Sequence, residues 1–364
     1  MVRRHRPPGP RVTRRRHWTG VAAGVLALAA IAATAGCSGD EDDPGGSGTG
    51  LSGDVDRVPG QLVVADWAAT DPAGERLVAP CLDELCVWDT ASGALRTTYD
   101  GGRVVAWSPD GELLATSEVE SNRPVVELLD AATGEVSQTL VGHDEVEPGE
   151  GGEGIQALAF GAGDVLASAG PDGTVRLWST DDGSAGPVLE TASDAPDQLA
   201  FSPGGSVLAV AAPDEPVELW DPASGEQVAV LDAPPQETVV YSPDGRLLAT
   251  ATSAADADAT VTLWDTATGE PLRTYPGGIQ AYRLAFSPDG VVLAMTQKDD
   301  ADVLLWPVSG DATPRRVSGL AEPARSVLWS PDGSTLWAVS GTEGVVALDA
   351  RTGRERRRFE LPEE

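Results

Sequence analysis

Basic side chains are scarce in this sequence. Its 364 residues contain 25 Lys and Arg against 57 Asp and Glu, and Lys298 is the only lysine. Seven of the arginines precede Cys37, where no acid stands, so the rest of the chain is more acidic still. Nucleic acids and anionic lipid headgroups bind proteins through Lys and Arg that neutralise phosphate. The composition therefore excludes DNA, RNA and anionic lipid surfaces as principal partners.

Histidine is equally rare. There are three, and His5 and His17 stand in an N-terminal segment that we expect to be removed. His143 remains, but no Ser and Asp partners for a Ser-His-Asp triad are recognisable around it. A zinc site needs more than one His and two Cys that can pair with each other. The sequence predicts no catalytic residue, no metal site and no cofactor, although catalysis by the abundant carboxylates stays open.

The chain has no long run of strongly apolar residues. A membrane-spanning helix needs about 20 of them, whereas the apolar stretch Val21–Ala35 is shorter and rich in Ala. It follows an Arg-rich segment and precedes small residues, which is the order of a secretory signal peptide. Thr34–Cys37 resembles a bacterial lipobox, which implies a signal peptide over residues 1–36 and a lipidated Cys37. Arg15-Arg16 leaves general secretory and twin-arginine export both open.

Residues 37–59 carry almost nothing that a core would bury. They are acidic and rich in Gly and Ser, which is typical of a flexible tether. Export, lipidation and tether together predict a bacterial, extracytoplasmic protein that is lipid-anchored to the cell membrane. In that oxidising location we expect a disulfide between Cys81 and Cys86, which would face each other if Asp83-Glu84 form a two-residue turn. Two buried thiols are the alternative.

Seven copies of one unit fill residues 60–364. An aromatic residue marks each copy, at spacings of 40 to 53 residues: Trp67, Trp107, Phe160, Phe201, Tyr241, Phe286 and Trp329. The third copy reads as four strands, "IQALAF", "VLASAG", "TVRLWST" and "PVLET", separated by the turns "GAGD", "PDG" and "DDG". Four strands at this period indicate one blade of a β-propeller. We therefore predict an all-β domain, a seven-bladed β-propeller of four-stranded antiparallel blades.

The repeated pattern resembles the WD-repeat β-propeller family, most closely at "PDGTVRLW" in the third copy. The resemblance covers residues 60–361. Members often carry a Gly-His pair and a histidine-centred hydrogen-bond network in each blade, whereas only Gly142-His143 is present here, so we expect the network to be largely absent. The SPDG-rich propellers of bacterial periplasmic proteins are similar too. The first and last copies each supply four strands, which leaves open how the ring closes.

The recurring Ser-Pro-Asp-Gly segments suit either a ligand loop or a turn. Pro, Asp and Gly fit successive positions of a type I turn and the left-handed residue after it, so a turn explains every residue. As metal ligands, the four acids would stand one per blade, too far apart to meet at one ion; they are Asp110, Asp244, Asp289 and Asp332. The Trp that recurs in the third strand of five copies favours packing between blades over ligand stacking.

Loops that differ between copies predict the binding surface. In this propeller family, the turns between first and second strands and between third and fourth strands share one face, and here they are uniform. The remaining loops lie on the opposite face, which we call the variable-loop face, and they are acidic. The longest, residues 142–154, suits a disordered flap or a weak calcium site. Function generally resides on variable loops of a regular scaffold; simple solvation is the alternative.

One position in the innermost strand sharpens this prediction. Two residues before each aromatic marker the side chain is apolar and should pack, whereas four residues before it the side chain changes from copy to copy. These variable residues, the polar column, should ring the channel mouth on the variable-loop face: Val63, Arg103, Gln156, Asp197, Glu237, Tyr282 and Arg325. Two Arg and a Tyr suit the anchoring of a protein or peptide partner. Mutual pairing, for example of Arg103 with a neighbouring acid, is the alternative.

The sequence as a whole predicts a membrane-anchored, WD-repeat-like propeller that acts as a non-catalytic protein-interaction platform. The Arg-rich segment 354–361 fits an outer strand whose charges prevent pairing with other chains. One alternative function is a carboxylate-based propeller hydrolase or lyase, with or without Ca²⁺, although Ca²⁺-dependent propeller hydrolases place Asn in the funnel and Asn122 is the only Asn. Another is a small-solute or sugar-binding sensor.

Overall fold

The computed structural model describes residues 68–81, 84–120, 123–144, 154–252, 260–275, 280–310, 313–340 and 344–359. The predicted signal peptide, Cys37, the tether, Val63 and Trp67 lie outside these ranges. Twenty-eight strands within the described residues form seven antiparallel sheets of four consecutive strands each. The first strands of neighbouring sheets contact one another around the ring. The prediction of an all-β, seven-bladed propeller is therefore confirmed.

Each blade is a meander whose first strand is innermost and whose fourth is outermost. Blades one to four contain β1 (Ala69–Thr70), β2 (Arg76–Cys81), β3 (Glu84–Asp89), β4 (Leu95–Asp100), β5 (Val105–Trp107), β6 (Leu113–Glu120), β7 (Arg123–Asp130), β8 (Val136–Val141), β9 (Ala157–Phe160), β10 (Val165–Ala169), β11 (Thr174–Ser179), β12 (Ala185–Glu190), β13 (Gln198–Phe201), β14 (Leu208–Ala211), β15 (Glu218–Asp221) and β16 (Glu226–Val230). Blades five to seven contain β17 (Gln236–Tyr241), β18 (Leu247–Thr252), β19 (Val261–Asp265), β20 (Pro271–Tyr275), β21 (Ala281–Phe286), β22 (Val292–Gln297), β23 (Val303–Pro307), β24 (Arg315–Val317), β25 (Ser326–Trp329), β26 (Thr335–Ser340), β27 (Gly344–Asp349) and β28 (Glu355–Arg358).

Side-chain burial follows the position of a strand in its blade. The second and third strands are buried on both faces, because each face packs against a neighbouring blade; β22 and β23 are examples. The fourth strands are mostly exposed and bury one apolar residue each in β8 and β12, since only part of the outer edge is covered. From blade two onwards, the first strand ends at the predicted aromatic marker, and in five blades the recurring Trp is the next-to-last residue of the third strand.

The recurring Trp residues pack between blades, as predicted. Trp264 of blade five shares a buried cluster with Leu219 of blade four and with Tyr241 and Leu248 of its own blade. The corresponding side chains are buried in the other four blades that carry them: Trp88, Trp178, Trp220 and Trp306. Burying one such side chain stabilises the fold by about 3 kcal/mol. Because each cluster needs residues from two blades, every blade is stabilised by its neighbours.

The ring closes by side-chain packing between blades one and seven. Trp88 meets Phe359 edge to face, with ring centroids 6.2 Å apart, inside a buried cluster drawn from both blades. A second contact between the two blades joins Gly74 and Pro331. An added Cβ on Gly74 would be 2.3 Å from the proline Cδ, and the Gly74 φ of 67° also favours glycine. Within the described residues neither blade borrows a strand from the other.

A disulfide joins Cys81 and Cys86, but the turn expected between them is wrong. Cys81 pairs with Glu84 and Cys86 with Ala79, so Glu84 belongs to strand β3 rather than to the turn. The two cysteines are therefore diagonal neighbours on one face of the hairpin, with Cα atoms 5.7 Å apart, instead of direct partners. Both are buried in the cluster that closes the ring. The disulfide thus stabilises the hairpin that faces blade seven.

Candidate functional site

The Ser-Pro-Asp-Gly segments are turns, as predicted. In blade six the Asp289 carboxylate accepts hydrogen bonds from Ser287 Oγ (2.6 Å) and from the backbone N–H of Val291 (3.2 Å). These bonds, chiefly the one from Ser287, hold the pKa of Asp289 below its usual value. The same Ser-to-Asp bond recurs at Asp110, Asp244 and Asp332. Their carboxylates are therefore engaged in shaping turns.

Both kinds of uniform turn lie at one end of the blades. In blade five, the N–H of Thr266, just after the third strand, donates to the carbonyl of Arg246, just before the second strand. Asp265 caps the adjoining turn by accepting from the N–H groups of Ala267 (2.8 Å) and Thr268 (3.0 Å). We call this end the uniform-turn face. Several variable loops at the other end, among them residues 82–83, 121–122, 145–153 and 253–259, lie outside the described residues.

The polar column lies where the innermost strands begin, at the end away from the uniform turns. The N–H groups of Gln156, Asp197 and Arg325 donate to equivalent carbonyls of the second strands, at 2.7 to 3.0 Å. Arg103 and Arg325 are exposed, and the other four described members are half-buried. Two residues further on, the apolar side chains are buried as expected: Val105, Leu158, Leu199, Val239, Leu284 and Val327. Six side chains of five residue types thus surround one end of the ring.

Two members of the polar column stand in β-bulges that the sequence did not reveal. In blade five, Gln236 pairs with Thr252 and Thr238 with Ala251, so Glu237 is an extra residue between them. In blade six, the register shifts in the same way between Ala281 and Leu284, a segment that includes Tyr282. A bulge redirects side chains and is common next to functional sites. The two adjacent blades therefore present these residues differently from the others.

An ion pair connects the two bulged blades. Lys298 Nζ, which follows strand β22, lies 2.6 Å from the Glu237 carboxylate of blade five. The pair is partly exposed, so we assign it a contribution of about 1 kcal/mol or less to stability. For Glu237, mutual pairing is therefore the observed arrangement, although its partner is a lysine that sequence reasoning did not single out. One sequence feature could have indicated this residue, because Lys298 is the only lysine of the chain and stands in an acidic loop.

Tyr282 is held by its neighbour, Arg283, which sequence reasoning also missed. The Arg283 guanidinium carbon lies 4.8 Å from the Tyr282 ring centroid, and Nη1 donates to the Tyr282 carbonyl oxygen at 3.0 Å. Arg283 is only 8% exposed. The residues at the same strand position in the other blades are small or uncharged. A cation against an aromatic face fixes the ring. Tyr282 is thereby presented in one orientation, with apolar and polar surface both available.

His143 has a Ser and an Asp partner that the sequence did not reveal. Its Nδ1 lies 3.0 Å from Asp172 Oδ1, and its Nε2 lies 2.8 Å from Ser168 Oγ. The Trp178 indole N–H donates to the same Ser168 oxygen at 2.9 Å. The family's histidine-centred network is therefore present in blade three. His143 precedes the other three members by 25 to 35 residues, and those three lie within ten residues of one another in the β10–β11 hairpin.

The Ser168–His143–Asp172 arrangement has the order of a catalytic triad but lacks access. Ser168 is fully buried and His143 is 2% exposed. The Ser168 oxygen already contacts two ring nitrogens, so it is not available to attack a substrate. Burial would raise the pKa of Asp172, but hydrogen bonds led by the one from His143 hold it well below its usual range. The network is structural, and it fixes the start of the 142–154 loop to blade three.

Glu218 in blade four is a second buried acid, with 6% exposure. Its carboxylate accepts from Gln227 Nε2 (2.8 Å), from the N–H of Ala192 (3.3 Å) and from the Trp220 indole N–H (3.3 Å). Burial raises the pKa of Glu218, and these hydrogen bonds offset only part of that effect. Since all three donors are neutral, no cation in this set of contacts compensates the Glu218 carboxylate when it is ionised.

Two further properties concern metal binding and membranes. Among the residues that the structure describes, no three His, Cys, Asp or Glu side chains come together in a group that could hold a metal ion. No helix in this part of the chain is long and apolar enough to cross a membrane. The calcium site considered for residues 142–154 falls mostly on residues 145–153, outside the described ranges.

Two segments of the chain, residues 134–179 and 225–265, match the family described as "WD domain, G-beta repeat". Each segment runs from the outer strand of one blade through the first three strands of the next, ending at β11 and β19. These matches show that two copies of the repeat are similar to this family, and the seven-bladed ring gives the chain a β-propeller fold.

The chain is also similar to individual proteins. Protein groucho of Drosophila melanogaster is 29% identical over 121 residues, which are 32% of this chain and only 16% of groucho. A chain in the crystal structure of a mitotic checkpoint complex superposes with a TM-score of 0.68 at 20% identity, covering 86% of this chain and 98% of that chain. At this level of identity the second similarity shows the fold alone.

Proposed function

We propose that the chain is a non-catalytic platform on which a protein partner docks at the variable-loop face, around the polar column. The observation that carries this proposal is the column itself, which has one position per blade and five residue types among six described blades: Arg103, Gln156, Asp197, Glu237, Tyr282 and Arg325. A role needed by every blade would repeat the same residue, as the Asp of the turns does. Accessible residues that share a position but differ in identity suit recognition of one partner.

The column has the composition of an interface centre. Arg and Tyr are over-represented among residues that dominate binding energy. Tyr282 is oriented by Arg283, and Glu237 is oriented by Lys298, so little side-chain freedom would be lost on docking. Arg103 and Arg325, in blades two and seven, suit carboxylates of the partner. The solved chain with the same fold is itself a component of a complex, which agrees with a platform role.

We also propose that the platform is extracytoplasmic and lipid-anchored through Cys37. The supporting features are the Arg-rich start, the short apolar stretch, the lipobox-like Thr34–Cys37 and the acidic tether. The Cys81–Cys86 disulfide agrees with an oxidising compartment. Metabolic labelling with an alkyne fatty acid should mark the wild-type chain and leave Cys37→Ser unlabelled. Equal labelling of both chains would contradict the anchor.

The docking proposal is tested by affinity capture with paired charge reversals. The full chain serves as bait, alongside a double variant, Arg103→Glu with Arg325→Glu. A control double variant, Arg246→Glu with Arg354→Glu, makes the same charge change on the uniform-turn face and outer edge. We expect a partner retained by wild type and control but lost, by about tenfold or more, from the first variant. Undiminished capture by that variant would refute the channel-mouth site, and loss confined to the control would move the site to the opposite face.

A further inference from the structure

A cleft of about 600 Å³ opens between blades six and seven on the uniform-turn face. This volume is within the range of protein pockets that hold ligands. Blade six differs locally from the other blades. Pro307 stands where their third strands end in Asp or Ser, so this blade lacks the side chain that elsewhere caps the adjoining turn. Its outer strand, β24, has only three residues. The outer part of blade six is therefore shorter, and the cleft lies beside it.

The floor of this cleft is apolar. Trp329, Leu305 and Val292 line it together with Pro288 and Pro331. The Trp329 indole N–H donates to the carbonyl of Ala285 at 3.1 Å, so the indole offers a ligand mainly its apolar surface. Aromatic and proline surfaces of this kind bind an apolar side chain at low entropic cost, because they are already rigid.

The outer end of the cleft is basic. Arg315 and Arg351 line it, and both are exposed. Arg315 donates to the carbonyl of Ala350, which places its guanidinium across this end. Arg351 makes no hydrogen bond or ion pair within the described part of the chain. In a chain with 57 acids against 25 bases, two exposed arginines at one end of a cleft complement a carboxylate from outside.

The inner end of the cleft is acidic. Asp289 and Asp332 line it, and turn hydrogen bonds, chiefly from their Ser neighbours, keep the pKa of both carboxylates low. The cleft therefore has opposite charge at its two ends and an apolar floor between them. A ligand must combine an apolar group with a carboxylate on one side only, which fits a short peptide segment. An anionic membrane fits poorly, because it would meet the ring of turn carboxylates on this face.

We propose that this cleft is a second docking site, which binds a partner segment in which an apolar residue is followed by acidic residues. The apolar side chain lies on Trp329, and the carboxylates pair with Arg351 and Arg315. The site lies on the face opposite the polar column. Its test is therefore independent of the docking proposed at the polar column. By contrast, the cleft between blades three and four, about 310 Å³ and lined by Trp178, Phe201 and Pro187, has no arginine in its lining.

The test uses the full chain, purified in mild detergent and labelled with ¹⁵N at its tryptophans. The probe is the blocked peptide acetyl-Gly-Leu-Asp-Glu-Gly-amide, and Trp329→Phe assigns the indole resonance. We expect a saturable shift of the Trp329 signal. Arg351→Glu should weaken binding by about tenfold or more, the scale of one charge-assisted hydrogen bond. Arg351→Gln should weaken it less. Arg246→Glu, the same charge change on an exposed turn residue of blade five, should alter binding by less than about twofold.

Several outcomes would overturn the proposal. One is a Trp329 resonance that does not respond to the peptide. Equal binding of a matched peptide with Asn and Gln in place of Asp and Glu would exclude recognition of carboxylates. Equal weakening by Arg351→Glu and Arg246→Glu would indicate a general effect of net charge. Arg351-dependent binding to phosphatidylglycerol vesicles without peptide binding would assign the arginine to a membrane contact instead.

Discussion

Blades three and four contain the same four strands and the same buried Trp, yet the indole N–H finds different partners. In blade three, Trp178 donates to Ser168 Oγ at 2.9 Å. In blade four, Val210 occupies the position of Ser168 in the strand pairing and offers no acceptor. Trp220 donates instead to the Glu218 carboxylate at 3.3 Å. The acceptor that is a hydroxyl in blade three is therefore a buried carboxyl group in blade four.

The two blades also differ in what compensates their acids. Asp172 in blade three is bonded by His143, and its pKa is held well below the usual range despite burial. Its counterpart Asp214, also six residues before the Trp, is exposed and bonds Ser193 at 2.5 Å. Glu218 has only neutral donors. A blade therefore keeps its shape with either arrangement, while ionisation of the acid stabilises blade three and destabilises blade four.

Removing the histidine should produce the largest effect. His143→Ala leaves the Asp172 carboxylate buried without its main partner, and Ser168 loses one of its two ring contacts. We expect a loss of about 3 kcal/mol in the free energy of unfolding at pH 7, the scale for leaving a buried carboxylate without its hydrogen-bond partner. Since the folded-state pKa of Asp172 is lowered, its contribution is present above the unfolded value of about 3.9 and is lost as the pH falls below it.

Chemical denaturation from pH 3 to pH 7 measures this loss. Asp144→Ala is the matched control, because its side chain is exposed in the same segment and should change stability by less than about 0.5 kcal/mol. A His143→Ala loss no larger than that of the control would show that blade three does not depend on the network.

Neutralising the acid of blade four should have a smaller effect of opposite sign. The raised folded-state pKa of Glu218 means that the wild type has its full stability below the unfolded pKa and loses part of it as the pH rises through the folded value. Glu218→Gln carries no charge, so we expect it to gain about 1 kcal/mol over wild type at pH 7 relative to pH 4. Glu226→Gln, exposed in the same blade, should show no such pH dependence. A Glu218→Gln difference that is constant with pH would refute a destabilising charge.

The repeat made the fold predictable, and the departures from the repeat were harder to see. Aromatic markers, turn residues and the recurring Trp each occur in several copies. The strand positions in a copy with a weak pattern can therefore be assigned from the other copies. A Gly-His pair occurs in one copy only, at His143, and the partners of His143 lie in the β10–β11 hairpin. No local sequence pattern therefore indicates the network. The bulges at Glu237 and Tyr282 depend on one extra residue in a strand pair, which spacing alone does not locate. Arg351 is a turn residue, and its proposed role in binding depends on the cleft between blades six and seven, which the sequence did not predict.

Blades three and four also lack the turn aspartate. Restoring it in blade four should have the smallest effect on stability that we predict. Gly204 stands where Asp289 stands in blade six, yet the turn still forms, with Gly205 N–H donating to the Ser202 carbonyl at 2.7 Å. A Cβ at Gly204 would meet nothing within 4 Å, and its backbone is not in the left-handed region. Gly204→Asp should therefore let the new carboxylate accept from Ser202 Oγ and should also reduce the freedom of the unfolded chain.

Gly204→Asp should raise the free energy of unfolding by about 0.5–1 kcal/mol. Gly205→Asp is the control. At its φ of 71°, with Ala162 Cβ only 2.9 Å from an added Cβ, the same substitution one residue later should be destabilising. Unchanged or lowered stability in Gly204→Asp would mean that the aspartate contributes nothing to the turn. Its recurrence in the other blades would then need a reason outside the turn, such as the acidic inner end that it gives the cleft between blades six and seven.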